Sequence, residues 1–146
     1  MKRILLWLTA ALCIALCGCT AQNGTAAQPA TAQENASYTQ IDPEEAARLM
    51  KTEKDCIILD VRTEEEFQSG HIPNAICIPN ETIGSGEIGA LKDKNQLILV
   101  YCRSGRRSKE AAQKLSNLGY TNVKEFGGSI DWTGETVTDS ESQKGI

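Results

Sequence analysis

Residues 97–101 read LILVY, the most apolar run in the folded part of the chain. A strand with one face in water alternates apolar and polar side chains, so an uninterrupted run requires cover on both faces. CIILDV, residues 56–61, makes the same demand and ends on a charge. Helical segments are interleaved with these runs. In DPEEAARLM, Asp42 stands as N-cap, Pro43 takes the first helical position and Glu45 lies three after the cap. Ala46, Ala47, Leu49 and Met50 form its apolar face. TEEEFQSG carries Thr63 and Glu66 at capping-box spacing, with Gly70 as the stop. RRSKEAAQKLSNLG places Ala111, Ala112, Leu115 and Leu118 on one face and ends at Gly119. YTQI, AICIP and NVKEF read as further short strands. Strands alternating with helices predict an α/β domain over residues 38–132, a parallel sheet with helices on both faces. The polar tail, 133–146, is expected to fray.

The first 18 residues belong to a different texture. Lys2 and Arg3 precede an apolar run from Ile4 to Leu16, the layout of an export signal. The run is short of the roughly 20 residues that a membrane span needs. It ends in LCGC, residues 16–19, which resembles the lipobox of bacterial lipoproteins. That resemblance implies cleavage before Cys19 and a lipid on its sulfur, with ordinary secretion as the alternative. Residues 19–37 are rich in Ala, Gln and Thr with no large apolar residue, and read as a flexible linker reaching roughly 20–25 Å. The expected location is therefore outside the cytoplasm, anchored to a membrane of the bacterial envelope. Removal of Lys2 and Arg3 takes the 15 basic residues to 13 against 19 acidic, a net charge of about −6. Such a chain is a poor match for nucleic acid, where phosphate contacts dominate affinity. Of the six cysteines, Cys13 and Cys17 fall in the signal and Cys19 at the lipidation site. Cys56, Cys77 and Cys102 remain, and Cys56 and Cys77 can pair only if their strands bring them together. A reading of Cys17 and Cys19 as a metal pair is weak, because nothing near them supplies further ligands.

Cys102 follows LILVY directly and opens the loop CRSGRRS. In an open α/β sheet, ligands bind beyond the carboxyl ends of the strands. A loop curling from strand into helix aims successive N–H groups at one point, and the helix adds the positive end of its dipole. Gly105 permits a tight curl, and Arg103, Arg106 and Arg107 bring fixed charge. Each feature favours thiolate over thiol. A buried, inert cysteine beside a solvated basic helix start fits the same residues, and local reasoning leaves both readings open.

Three longer stretches carry a resemblance. YTQIDPEEAARLM, LDVRTEEEFQSGHIPNAICIP and VYCRSGRRSKEAAQKLSNLGYTNVKEFGGSIDW together resemble a single-domain rhodanese, in order and spacing, over nearly all of residues 38–132. The resemblance implies a rhodanese-like α/β sheet whose loop cysteine carries sulfane sulfur as a persulfide. It implies Cys102 as that cysteine, and Arg103, Ser104, Gly105, Arg106 and Arg107 as the cradle around the sulfur. It places Asp60 and Arg62 in a supporting D-x-R motif and Trp132 in a closing GG-x-x-x-W motif, as packing. The implied reaction moves sulfur from thiosulfate or a related anion to cyanide or a thiol, with no metal or organic cofactor. A tethered persulfide relay with little thiosulfate turnover is the alternative.

Other cysteine chemistries fit less well. A phosphatase loop of this fold needs five residues between Cys and Arg, whereas Arg107 follows Cys102 after four and residue 108 is Ser. An acyl-transfer enzyme needs a base beside the thiol. The one histidine, His71, lies in the SGHIPNA segment and reads as structural.

Overall fold

In a computed structural model, residues 37–84 and 86–138 are described; the signal and lipidation site, and most of the linker, lie outside them. The elements in chain order are β1 (Thr39–Gln40), α1 (Pro43–Thr52), β2 (Ile57–Asp60), α2 (Glu64–Gln68), β3 (Ala75–Cys77), a 3-10 turn (Asn80–Thr82), β4 (Ile98–Cys102), α3 (Arg106–Asn117) and β5 (Val123–Gly128). All five strands run parallel in one sheet of order β1-β5-β4-β2-β3. The fully apolar run thus becomes the central strand, where both faces must be covered.

Alternation along β4 divides the core. Ile98, Val100 and Cys102 face α3, packing with Ala111, Ala112 and Leu115. Leu99 and Tyr101 face the other way, with Ala46 and Leu49 of α1 and Phe126 of β5. Helices therefore lie on both faces, as the sequence predicts. The caps also form where expected. Asp42 accepts the Glu45 N–H, and Thr63 and Glu66 complete a reciprocal capping box at α2. The 3-10 turn and the segment after it, unassigned from sequence, supply buried Ile83 and Leu91 to the α3 side of the core.

Register settles the question of the two other cysteines. Cys77 pairs with Asp60 in the β2–β3 ladder, while Cys56 stands before Ile57, the first residue of β2. Four residues along a strand separate these levels by about 13 Å, too far for a disulfide. The expected fraying of the tail does not extend to its described part. Val137 forms an antiparallel bridge with His71, each N–H donating to the other's carbonyl, at 2.8 and 2.9 Å. His71 is held structurally as well: its ring stacks on Phe67 at 3.7 Å and its Nδ1 meets the Phe67 carbonyl.

Leu99 is fully buried at the centre of this sheet. Leu99→Ala removes transfer free energy and leaves a cavity, so urea denaturation should show a loss of about 2–5 kcal/mol. Ile130 is 64 % exposed, and Ile130→Ser should change stability by less than about 0.5 kcal/mol.

Candidate active site

Cys102 is the last residue of β4, one position earlier in the fold than a loop residue, and it is 1 % exposed. The chain turns immediately after it. Gly105 sits in the left-handed region at φ +89° and serves as N-cap of α3, a conformation that glycine adopts without penalty. This reversal sends the Gly105 N–H back to Cys102 Sγ at 3.1 Å. Burial alone raises the thiol pKa. The hydrogen bond between the sulfur and the Ser108 side chain, with those from the backbone N–H groups of Ser108, Ser104 and Gly105, outweighs burial and brings it below the ordinary thiol value. The donors that converge on the sulfur are main-chain N–H groups of Ser104, Gly105 and Ser108.

What holds the loop in this shape comes from β5. The β4–β5 register shifts between Val100 and Cys102, so that Glu125 stands opposite Val100 but Gly128 opposite Cys102. The extra residue is a bulge that presses Gly128 against the loop. A Cβ at Gly128 would fall far inside van der Waals contact of the Arg103 carbonyl oxygen and 2.8 Å from Ser104 Cα. Ser129 N–H donates to the Cys102 carbonyl at 2.8 Å and Ile130 N–H to the Arg103 carbonyl at 3.2 Å. The GG-x-x-x-W segment therefore clamps the cysteine loop by backbone contact. Trp132 packs at its end, 5.9 Å from the Phe126 ring.

The arginines divide their work. Arg107 forms a two-pronged pair with Glu66 of α2, at 2.7 and 2.8 Å, and this holds the Glu66 carboxyl down at about 2. Arg107 thereby ties α3 to α2, and its charge still acts on Cys102. Arg103, Ser104 and Arg106 are exposed around the loop, with Arg106 3.8 Å from Glu110. Asp60 and Arg62 clasp each other at the end of β2. Arg62 Nη2 lies 2.6 Å from Asp60 Oδ2, and also donates to the Gly70 carbonyl. The Arg62 guanidinium sits 5.8 Å from the centre of the Tyr101 ring. Tyr101 points to the face opposite Cys102, so this pair braces the sheet end beside the site.

Two residues of the site were not singled out from sequence. Ser108, fully buried, has its Oγ 3.6 Å from Cys102 Sγ. Glu125, 2 % exposed, accepts from Ser108 Oγ at 2.6 Å. The signal for Ser108 was its place at the end of CRSGRRS. The signal for Glu125 was a carboxylate inside a strand sequence, though nothing local says toward what it points.

A family profile described as the rhodanese-like domain matches residues 42–135. The chain belongs to the rhodanese family. Relatives of this rhodanese domain include the thiosulfate sulfurtransferase PspE of Escherichia coli, 41 % identical over 73 residues, covering 50 % of this chain and 70 % of PspE. A sulfurtransferase of Allochromatium vinosum is 34 % identical over 94 residues, covering 64 % of this chain and 86 % of that protein. Among solved structures, a rhodanese with anions from E. coli superposes with a TM-score of 0.53 at 37 % identity, covering 57 % of this chain and 98 % of that one. The fold and family expected from sequence are thus shown.

The clamp on the rhodanese loop makes a specific prediction. Gly128→Ala forces the β5 bulge away from Arg103 and Ser104. Reaction of Cys102 with iodoacetamide at neutral pH should slow at least about tenfold, because amides that turn away no longer stabilise the thiolate. An unchanged rate in the folded variant contradicts the clamp.

Proposed function

We propose that this chain is an exported, lipid-anchored sulfurtransferase that moves sulfane sulfur through a persulfide on Cys102. The observation that carries the reading is a buried sulfur held by converging N–H groups, with Gly105 N at 3.1 Å. Donors already aimed at an anion need no reorganisation as charge moves along the sulfur chain. The sulfurtransferases among the relatives support the same class of reaction.

The thiolate of Cys102 attacks the outer sulfur of thiosulfate. The bond between the two thiosulfate sulfurs breaks, its electron pair leaves on sulfite, and Cys102 carries a persulfide with one negative charge. Cyanide or an acceptor thiolate then takes the outer sulfur and returns Cys102 to thiolate. Charge is conserved in each step and no cofactor is required. Exposed Arg103 and Arg106 draw an anionic donor toward the loop; Arg107, engaged by Glu66, sets its position and adds field at the sulfur. The lipid on Cys19 ties the domain to a membrane of the envelope through the linker.

Intact-mass measurement tests both parts. Incubation with thiosulfate should raise the mass by one sulfur atom and release an equal amount of sulfite, and Cys102→Ser should do neither. The mature protein from its native host should begin at a lipidated Cys19. A loaded mass without cyanide turnover, but with transfer to protein thiols, selects the relay. No retained sulfur under any donor refutes the proposal.

A further inference from the structure

Glu125 is a buried carboxylate with no ion pair among the described residues. Its three partners are all hydrogen-bond donors. Ser108 Oγ lies 2.6 Å and Gly127 N 2.9 Å from Oε1, and Gln40 Nε2 lies 3.1 Å from Oε2. A carboxylate taken out of water without a cation is costly unless its donors are good or it takes up a proton. The nearest donor is a hydroxyl that also touches the nucleophile, since Ser108 Oγ is 3.6 Å from Cys102 Sγ.

Ser108 has one hydrogen to give. The carbonyls of Gly105 and Gly127 lie within 3.0 and 3.3 Å of its oxygen, but Glu125 is the closest acceptor. In the arrangement seen, the Cys102 thiol donates to Ser108 Oγ, and Ser108 donates to the Glu125 carboxylate. If Cys102 ionises while Glu125 stays charged, two buried anions claim the same hydrogen. One is left without its donor, and the two repel across a single hydroxyl group.

We propose that Ser108 couples Cys102 to Glu125, so that the two acids share one proton and Glu125 sets the pH range over which Cys102 is reactive. In the step that balances, the Cys102 S–H bond breaks and its proton joins Ser108 Oγ. The original Ser108 proton moves to Glu125 Oε1. Thiol plus carboxylate becomes thiolate plus carboxylic acid, with no change in net charge and no redox partner. Ser108 then donates to the sulfur, and the new Glu125 O–H donates to Ser108. Glu125 is a positioning residue, because it reaches the sulfur only through Ser108.

Other charges border the pair. Lys109 of α3 and Asp131 after β5 line the cleft of about 400 Å³ that Glu125 also borders. Arg107 acts on Cys102 from the α2 side. From β1 the group facing Glu125 is the neutral Gln40 amide.

The inference takes Cys102 as the reacting group of the proposed transfer, but its test reads ionisation alone, so either can fail without the other. The rate of iodoacetamide labelling is followed from pH 5 to 10 by mass spectrometry of the peptide holding Cys102, with circular dichroism confirming the fold. Glu125→Gln keeps an oxygen for Ser108 and Gly127 while removing the charge and the proton acceptor. Its labelling midpoint should fall by about one pH unit or more. Glu125→Met, of similar length and neutral, should fall likewise and serves where the amide disturbs packing. In a Ser108→Ala background the effect of Glu125→Gln should shrink to less than about half. A midpoint that stays or rises in the neutral variants overturns the coupling. An equal fall with and without Ser108 overturns the route through the hydroxyl.

Discussion

The structure depends on one contact between backbones: β5 at Gly128 lying against the carbonyl of Arg103. With no side chain at that point, the loop after β4 is pressed into a curl tight enough for its N–H groups to converge on Cys102. Gly105 in the left-handed region completes the reversal and starts α3 at once. The sulfur is then buried, which disfavours charge, and ringed by donors, which favour it. The donors win, and Cys102 is more acidic than an ordinary thiol. Every chemical property proposed for the site follows from the outcome of that competition.

Fixed charge plays a supporting part. Three arginines in CRSGRRS suggest a cationic pocket, yet Arg107 is held by Glu66, and Arg106 is largely in solvent. A guanidinium held in a two-pronged pair can hold the start of α3 against α2, and with it the direction of the amides at Ser104, Gly105 and Ser108. Its field at the sulfur is partly offset by the carboxylate it binds. Main-chain dipoles bring no counter-charge, and they do not relax away when the negative charge moves outward onto a second sulfur. A cradle built this way suits an anion that changes length during the reaction.

Much of this was legible in the chain. The unbroken apolar runs of β2 and β4 implied a doubly covered sheet, because no other arrangement hides both sides of such a strand. The caps at Asp42 and Thr63 were legible because capping depends on residues three apart. The site was legible only where it is local, from Cys102 to Arg107. Its remaining parts are contacts across long stretches of chain. Glu66 reaches Arg107 from 41 residues away, and Glu125 reaches Ser108 from 17. The Gly128 clamp exists only because a bulge changes the β4–β5 register, and no pattern in NVKEFGG announces which residue is extra. The His71–Val137 bridge joins a loop to a tail that composition alone assigns to solvent.

The most direct measurement of the central claim follows the amide protons of Ser104, Gly105 and Ser108 by nuclear magnetic resonance as Cys102 titrates. A depressed pKa means that the thiolate persists below the pH at which a free thiol takes up its proton. All three amides should move downfield together as pH rises, with one midpoint below that of an ordinary thiol, and the movement should vanish in Cys102→Ser. Amides that ignore the titration, or a midpoint at or above the ordinary thiol value, contradict an anion held by the backbone.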